Sequence, residues 1–457
     1  MASAEATDET VVVDAPSVEA TDEVVVEATD GEMVDVPSVE ATDEFTVDAP
    51  GAGKLGLIFE GSSEVWQVRP TSPVAGHVYP GCVLLRVDGV AIGALQLFPR
   101  SAENDAVAAI GAAANDDGRP RRLTFRYPAA PALPPSAPRL WGSDLGPRER
   151  FGGKRGAQAA LEVAALGGRR VLVKSLPADA TPVHARDLLR EAAILSGLAP
   201  HPHVVALRAC APPGVAPFVA VDLVEDGVDL EARLKEARRG GGWSLAAPRW
   251  TAETGLDVAV QLCRAVAHLH AHGDGESVVH RDLKPANVVL RPMPPLRAPP
   301  PEAPGFAWPA MAQKARYKAI LVDFGLATTV PRGAVRQLTA ETGSPRYMAP
   351  EVALGAAYGA PADVYSAALV AWASVAADVP FADLGPREHG DQVHRGGARP
   401  PPIPEAPPAL AAVLAAAWAP EPADRAPVAD LADGLVECLI SVRFGDLAPP
   451  RAEAIPI

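Results

Sequence analysis

Basic residues are missing from the first fifty positions, which hold eight Glu and seven Asp but neither Lys nor Arg. That segment alone accounts for the formal net charge of −15, leaving 41 basic against 41 acidic groups over the rest of the 457-residue chain. A neutral remainder offers no cationic stripe, and the acidic arm repels DNA and anionic lipid alike, so no nucleic-acid partner is expected. Cysteine is scarce. Cys82, Cys210, Cys263 and Cys438 lie far apart with no paired ligand spacing. That argues against a disulfide framework or a zinc site and for a reducing compartment. No run of eighteen apolar residues occurs; the Ala-rich stretch near 408–418 is too short and is bracketed by prolines, so no membrane span is expected. The opening MASAEATDET lacks the basic-then-apolar pattern of a secretory signal. A cytoplasmic protein is the resulting expectation.

What is present divides the chain into five stretches. Residues 1–52 form an acidic segment with an internal repeat, VDAPSVEATDE at 13–23 returning as VDVPSVEATDE at 34–44. Within each copy Asp, Glu, Pro and Thr keep the valines apart, and two copies are too few to stack, so a disordered arm is expected. Residues 53–128 alternate short β-type runs (KLGLIFE, VWQVRP, CVLLRVDG, RLTFRY) with Gly, Pro and Asn/Asp turns, and ENDAVAAIGAAA reads as a helix before the last of them. A Pro/Ala-rich linker follows at 129–144. Strand-like and helix-like segments then alternate over 145–443, with a Pro-rich insertion at 291–312 whose prolines exclude a central strand or a helix. Residues 444–457 are a C-terminal tail.

The order within 53–128 resembles a PDZ domain: Leu55-Gly56-Leu57-Ile58, then PTSPVAG at 70–76, then PGCVLLRVDGVAI at 80–92, then a helix and a last strand. The resemblance implies a loop at Leu55, Gly56 and Leu57 whose backbone N–H groups receive a peptide's terminal carboxylate, the peptide adding as a strand beside the next one. Some other small β-rich domain is the plainer alternative. A C-terminal peptide would then be a partner. The chain's own Ile455-Pro456-Ile457 has the apolar–x–apolar pattern such a groove accepts, against the simpler reading of a frayed terminus.

Chemistry is concentrated in the long C-terminal stretch. Phosphoryl transfer needs a cation to hold phosphates, a metal to bridge them and a carboxylate to orient a hydroxyl. VVHRDLKPANVVL at 278–290, ILVDFGLA at 320–327, GSPRYMAPE at 343–351 and RRVLVKSL at 169–176 supply such groups in one order. Together they resemble the protein kinase family, of serine/threonine type. The resemblance implies an α+β, two-lobed fold, with a β-rich N-lobe over about 145–221, a mainly helical C-lobe over about 228–443, and ATP and Mg²⁺ between them. It implies that Asp282 orients the substrate hydroxyl, that Lys284 steadies the transferring phosphate and that Asn287 and Asp323 hold the metal. Lys174, ending a β-type run, would hold the α- and β-phosphates and pair with Glu191 on the helix RDLLREAAILSGL. His280 would pack in the core, and Glu351 would pair with Arg425. Val221 would be the gatekeeper, with Asp222 and Val224 presenting backbone groups to adenine.

The glycine-rich loop departs from the family pattern GxGxxGxV. The chain reads Phe151-Gly152-Gly153-Lys154-Arg155-Gly156-Ala157-Gln158, so Gly153 and Gly156 take the second and third glycine places, Phe151 the first and Gln158 that of the valine. Leu172 replaces the small residue usual over adenine. ETGSPRYMAPEV with ADVYS at 362–366 resembles the tyrosine-kinase-like group of serine/threonine kinases. Arg281 beside Asp282 implies a pocket for an activation-loop phosphate, with Thr339 and Thr342 the leading acceptors ahead of Thr328, Thr329 and Ser344. An active kinase acting on protein substrates is the first expectation. A kinase-fold scaffold with weak or no catalysis, binding partners through the PDZ-like domain, is the alternative that the altered nucleotide roof keeps open.

Overall fold

The structure is a computed structural model that describes residues 11–12, 44–49, 57–59, 64–68, 74, 78–91, 121–126, 137–140, 144–151, 159–212, 216–239, 250–273, 275–294, 316–339 and 343–444. The chain forms two compact units. The first comprises Met1–Ala193 with Arg208–Val221, and the second Ile194–Leu207 with Asp222–Ile457.

In the first unit, strands β1 (Val11–Val12), β2 (Glu44–Ala49), β3 (Leu57–Phe59), β4 (Val65–Val68), β5 (Val83–Val87), β6 (Val90–Ala91) and β7 (Arg121–Arg126) build two small sheets, ordered β1-β3-β4 and β2-β7-β5-β6. Leu57, Val65, Val74, Cys82, Leu84, Leu123 and Phe125 are buried between them. Two strands fall where a disordered arm was expected. Residues 44–49 read EFTVDA, a period-two alternation that places Val47 and Ala49 on the apolar cluster. They pair antiparallel with β7 over all six positions, from Glu44↔Arg126 to Ala49↔Arg121. Acidic residues dominate the composition of 1–52, and composition alone predicts an arm there. At 44–49 those charges point outward, Glu44 to Arg86 (2.9 Å) and Asp48 to Arg122 (3.4 Å), while Val47 and Ala49 pack inward. Likewise β1 pairs antiparallel with β3, Val11 opposite Phe59. The helix expected at 103–114, Leu55 and Gly56 of the carboxylate loop, and tail residues 445–457 lie outside the described residues; Phe444 ends the last helix, and Leu57 begins β3 and is buried.

A five-stranded sheet completes this unit, in the order β11-β12-β10-β9-β8, from β8 (Glu149–Arg150), β9 (Ala160–Leu166), β10 (Arg169–Ser175), β11 (Leu207–Cys210) and β12 (Phe218–Asp222). The β9–β10 ladder is unbroken from Arg169↔Leu166 to Ser175↔Ala160. Val171 and Val173 turn inward onto Ala164, Ala209 and Ala220. Helix α1 (Pro182–Gly197) follows β10.

The second unit is mainly helical. Helix α2 (Leu230–Arg238) begins on Asp229, whose carboxylate accepts the Ala232 N–H at 2.7 Å; α3 (Ala252–His270) begins on Thr251, which accepts the Thr254 N–H at 3.2 Å. Short strands β13 (Val228–Asp229), β15 (Val288–Pro292) and β16 (Tyr317–Leu321) pair in that order, and β14 (Glu276–Val279) pairs with β17 (Thr328–Pro331). Helices α4 (Pro350–Ala353), α5 (Ala360–Ala376), α6 (Pro386–His389), α7 (Ala409–Ala417) and α8 (Val428–Phe444) complete it. Helix α5 is buried at every position from Ala362 to Val375, as its near-continuous apolar sequence requires of a central helix. None of the described helices is long and apolar enough to cross a membrane. All four cysteines are free and buried, and burial pushes the Cys82 and Cys263 thiols up to about 12.

Helices α3 and α5 meet at Gly255, where an added Cβ would lie 2.2 Å from the Ser374 carbonyl oxygen and 2.8 Å from the Val375 Cα. Ala gains up to about 1 kcal/mol of helix propensity over Gly. Here the obstruction is backbone, so overpacking of about 1–3 kcal/mol is expected to win. Gly255→Ala should therefore lower the urea midpoint of the protein; a midpoint at or above that of the parent would contradict the tight crossing.

Candidate active site

Lys174 is the sixth residue of β10 and falls on the face opposite Val171 and Val173, yet it too is buried, so a strand that packs an apolar core on one face buries an ammonium group on the other. A buried charge needs a partner. Glu191, on α1, supplies it: Lys174 Nζ donates to Glu191 Oε1 at 2.5 Å, and both residues are at most 9% exposed. This pair lies wholly within the first unit.

In the second unit the loop after β14 carries Asp282. Its carboxylate accepts three side-chain hydrogen bonds: Ser344 Oγ on Oδ1 at 3.0 Å, and Lys284 Nζ (2.7 Å) and Asn287 Nδ2 (3.0 Å) on Oδ2. The Asn287 amide nitrogen also donates to the Asp282 carbonyl at 2.9 Å. Both donations come from the amide nitrogen, which leaves the amide oxygen as that side chain's acceptor. Asp323 follows β16 with φ of 66°, a left-handed backbone conformation that Asp adopts more readily than most residues. Asn287 oxygen and Asp323 carboxylate are hard oxygen donors, and Mg²⁺ bound to a nucleotide needs only one or two such protein ligands because phosphate oxygens complete its shell. Among the described residues, no group of three or more His, Cys, Asp or Glu could hold a metal unaided. The donor set therefore fits a phosphate-bound Mg²⁺.

The loop's shape is set from beneath by Asp363 on α5, which was not singled out from the sequence. Its Oδ2 accepts the His280 N–H at 2.7 Å and its Oδ1 the Arg281 N–H at 2.9 Å, and His270 Nε2 lies 3.2 Å away. Burial pushes this carboxyl up, but the His270 hydrogen bond, the charges of His270 and His280 and the backbone donation outweigh it and hold the group below its ordinary value. The signal was in the quoted ADVYS segment. A lone Asp inside an apolar helix must be satisfied somewhere. His280 is fully buried, its ring edge-to-face with Phe324 at 5.0 Å.

The segment downstream closes over the same loop. Gly343 has φ of 102°, and a Cβ there would fall 2.5 Å from the Arg281 carbonyl oxygen, so glycine is required both by backbone and by space. Arg281 donates from Nε to the Tyr358 hydroxyl at 2.9 Å and from Nη2 to the Thr339 carbonyl at 3.4 Å; the Tyr358 hydroxyl donates to that same carbonyl at 2.9 Å. Thr339 itself is exposed. Ser344 is committed to Asp282. Thr342, Gly153 and Gly156 lie outside the described residues. Glu351 and Arg425 form a two-pronged ion pair at 2.6 and 2.8 Å. At β12, Val221 is buried, the Asp222 N–H donates to Ala206 O at 3.0 Å, and the Val224 carbonyl accepts the Gly227 N–H at 3.1 Å.

Beside the 343–348 segment sits a histidine pair. His389, 4% exposed, and His394 have rings 4.8 Å apart, edge-to-face, and neither Nε2 has a hydrogen-bond partner. Burial first, then the charges of His394 and Arg346, hold the His389 pKa down to about 4 from 6.5. The folded chain thus keeps His389 neutral where the unfolded chain takes up a proton. Its contribution to stability is full above pH 6.5 and is lost as pH falls toward 4. The thermal midpoint should therefore drop between about pH 7 and about pH 5, and His389→Gln should flatten that slope; equal slopes in both proteins would contradict it.

A family profile described as protein tyrosine and serine/threonine kinase matches residues 156–435. The chain is 32% identical over 273 residues to the serine/threonine-protein kinase PkaB of Streptomyces coelicolor, covering 59% of this chain and 54% of that protein. It is 31% identical over 286 residues to calcium-dependent protein kinase 8 of Oryza sativa (61% and 43%). It is 29% identical over 188 residues to the serine/threonine-protein kinase STY17 of Arabidopsis thaliana (41% and 28%). The chain thus spans about half or less of the length of these relatives.

Proposed function

Since the chain belongs to the protein tyrosine and serine/threonine kinase family, we propose that it transfers the γ-phosphoryl group of ATP to serine or threonine hydroxyls of protein substrates. The observation that carries this reading is the Asp282 carboxylate, held by three donors and flanked by Lys284 and Asn287. Asp282 would accept the hydrogen bond of the attacking hydroxyl and aim its oxygen; Lys284, 2.7 Å from that carboxylate, would steady the phosphoryl group in flight. Lys174, fixed by Glu191, would hold the α- and β-phosphates. Asn287 and Asp323 would hold Mg²⁺, which when bound neutralises developing charge on the phosphates. Backbone groups of Asp222 and Val224 would take adenine, and Gly153 and Gly156 would let backbone N–H groups approach the phosphates.

The nearer subfamily is read as the tyrosine-kinase-like group, on GSPRYMAPE and ADVYS. Thr339 and Thr342 are proposed as activation-segment phosphate acceptors, with Arg281 the nearby cation: it already reaches the Thr339 backbone. Free, buried cysteines favour a reducing, cytoplasmic setting. Residues 44–126 are proposed as a PDZ-like recruitment domain. Supporting this are strands running from Leu57 through β4, β5 and β7, and an edge of β3 that already accepts an extended segment, β1.

The test is transfer of labelled phosphate from MgATP to a generic protein substrate and to the protein itself, with the modified residues mapped. Phosphoserine and phosphothreonine, including Thr339 or Thr342, are expected, and Thr339→Ala with Thr342→Ala should lower the rate severalfold. No transfer after the activation segment has been phosphorylated would overturn the enzymatic reading in favour of a scaffold.

A further inference from the structure

The small domain at 44–126 does not end at its own sheets. Its apolar cluster takes in three side chains from the nucleotide-binding elements of the same unit: Ala185 of α1, wholly buried, with Leu176 after β10 and Ala216 before β12 packed against it. At the rim, Arg186 Nη1 donates to Glu64 Oε1 at 3.3 Å. Leu176 is two residues beyond Lys174, and Ala185 lies six residues, under two helical turns, before Glu191. Both partners of the buried 2.5 Å ion pair are therefore carried by elements that the small domain grips.

We propose that the small domain docks on α1 and β10 as a built-in clamp that positions Glu191 against Lys174, with Ala185, Leu176 and Ala216 as its positioning residues. The energetics favour such a role. A wholly buried alanine leaves no room for a larger side chain, so the interface depends on close approach rather than on the exposed Arg186–Glu64 pair, which alone contributes little. Helix α1 presents no acidic residue in its first turn and no basic residue in its last, so no charge on the helix itself fixes its ends. Its N-terminal turn is instead held through Ala185 and by the His184 ring nitrogen, which accepts the Thr181 N–H at 3.0 Å. Release of the small domain would free that turn and loosen Glu191. The inference rests on the kinase reading for its effect on rate, but not for the docking itself.

The test uses the full chain with Ala185→Arg and Ala216→Arg, which wedge the interface from the helix and from the neighbouring loop, and Val183→Arg as the control on an exposed position of α1. Each is assayed for kcat and KM of phosphate transfer and for amide hydrogen exchange of α1. Both wedges should lower kcat at least tenfold with the protein-substrate KM unchanged, and should speed exchange in the first half of α1; Val183→Arg should do neither. Glu64→Arg should slow transfer mildly, and adding Arg186→Glu should restore it. If Ala185→Arg fails to fold, Ala216→Arg and the Glu64/Arg186 exchange decide the matter. Parent-like kcat and parent-like exchange in the folded wedge variants would overturn the clamp. Absence of transfer in the parent protein would overturn the kinase reading alone, leaving the exchange measurement to judge the docking.

Discussion

Asp282→Asn is expected to reduce phosphate transfer by on the order of 10²–10⁴, the range that a positioned acid–base group contributes, while leaving thermal unfolding almost unchanged. The contrast follows from the donors around the carboxylate. Lys284 and the Asn287 amide nitrogen, both on Oδ2, can only donate, whereas the Ser344 hydroxyl on Oδ1 can rotate and accept. An asparagine can therefore turn its oxygen toward Lys284 and Asn287 and its amide toward Ser344, keeping every partner satisfied. What it loses is the negative charge and the acceptor capacity needed by an incoming hydroxyl. Steady-state transfer from MgATP, measured beside a thermal melt, checks both halves. A folded variant that retains more than a tenth of the parental rate would remove Asp282 from the chemistry.

A second large effect is expected at Arg425, and it is one of stability. The guanidinium side chain is wholly buried and binds both Glu351 oxygens, and it also donates to the carbonyls of Ala419, Pro420 and Pro361. Arg425→Met keeps the length of the side chain but strands the Glu351 carboxylate and those carbonyls. Removing one member of a buried pair costs about 3–5 kcal/mol. Glu351→Gln should cost less, because the arginine keeps its three carbonyl acceptors and one oxygen of the amide. Urea midpoints of the two variants give the order. Equal losses would mean that the ion pair, and not the carbonyls, holds this arginine. The pair ties α4, at the end of the 343–351 segment, to the turn before α8, so the Met variant should also lower activity by disordering that segment.

The grouping of Asp282, Lys284 and Asn287 was legible because residues at short fixed offsets in a single loop are brought together by the chain itself. HRDLKPAN brings Asp282, Lys284 and Asn287 within five residues, and the structure joins all three by hydrogen bonds no longer than 3.0 Å. Lys174–Glu191 and Glu351–Arg425 were anticipated across separations of 17 and 74 residues and meet as ion pairs. Asp363 was not anticipated. Its place as a lone charge in an apolar helix shows that it needs a partner, but the backbone and histidine nitrogens it meets lie more than eighty residues away and could not be named from the sequence. Ser344, in sequence a phosphate-acceptor candidate behind Thr339 and Thr342, turns its hydroxyl onto Asp282, because Gly343 lets the chain approach the Arg281 carbonyl closely.

By itself the sequence determined the chemical inventory, the order of the strands and helices around it, and the acidic character of the first fifty residues. These are local properties, written in side-chain type, spacing and periodicity. The tertiary structure alone decided that Glu44–Ala49 leaves the acidic arm to become a strand, that Asp363 supports the loop of Asp282, and that Ala185 seats the small domain on the helix of Glu191. A strand's hydrogen bonds and a buried alanine's neighbours come from residues far away along the chain. An alternating or small-residue segment therefore reads the same in solution or in a core until its partner is in place.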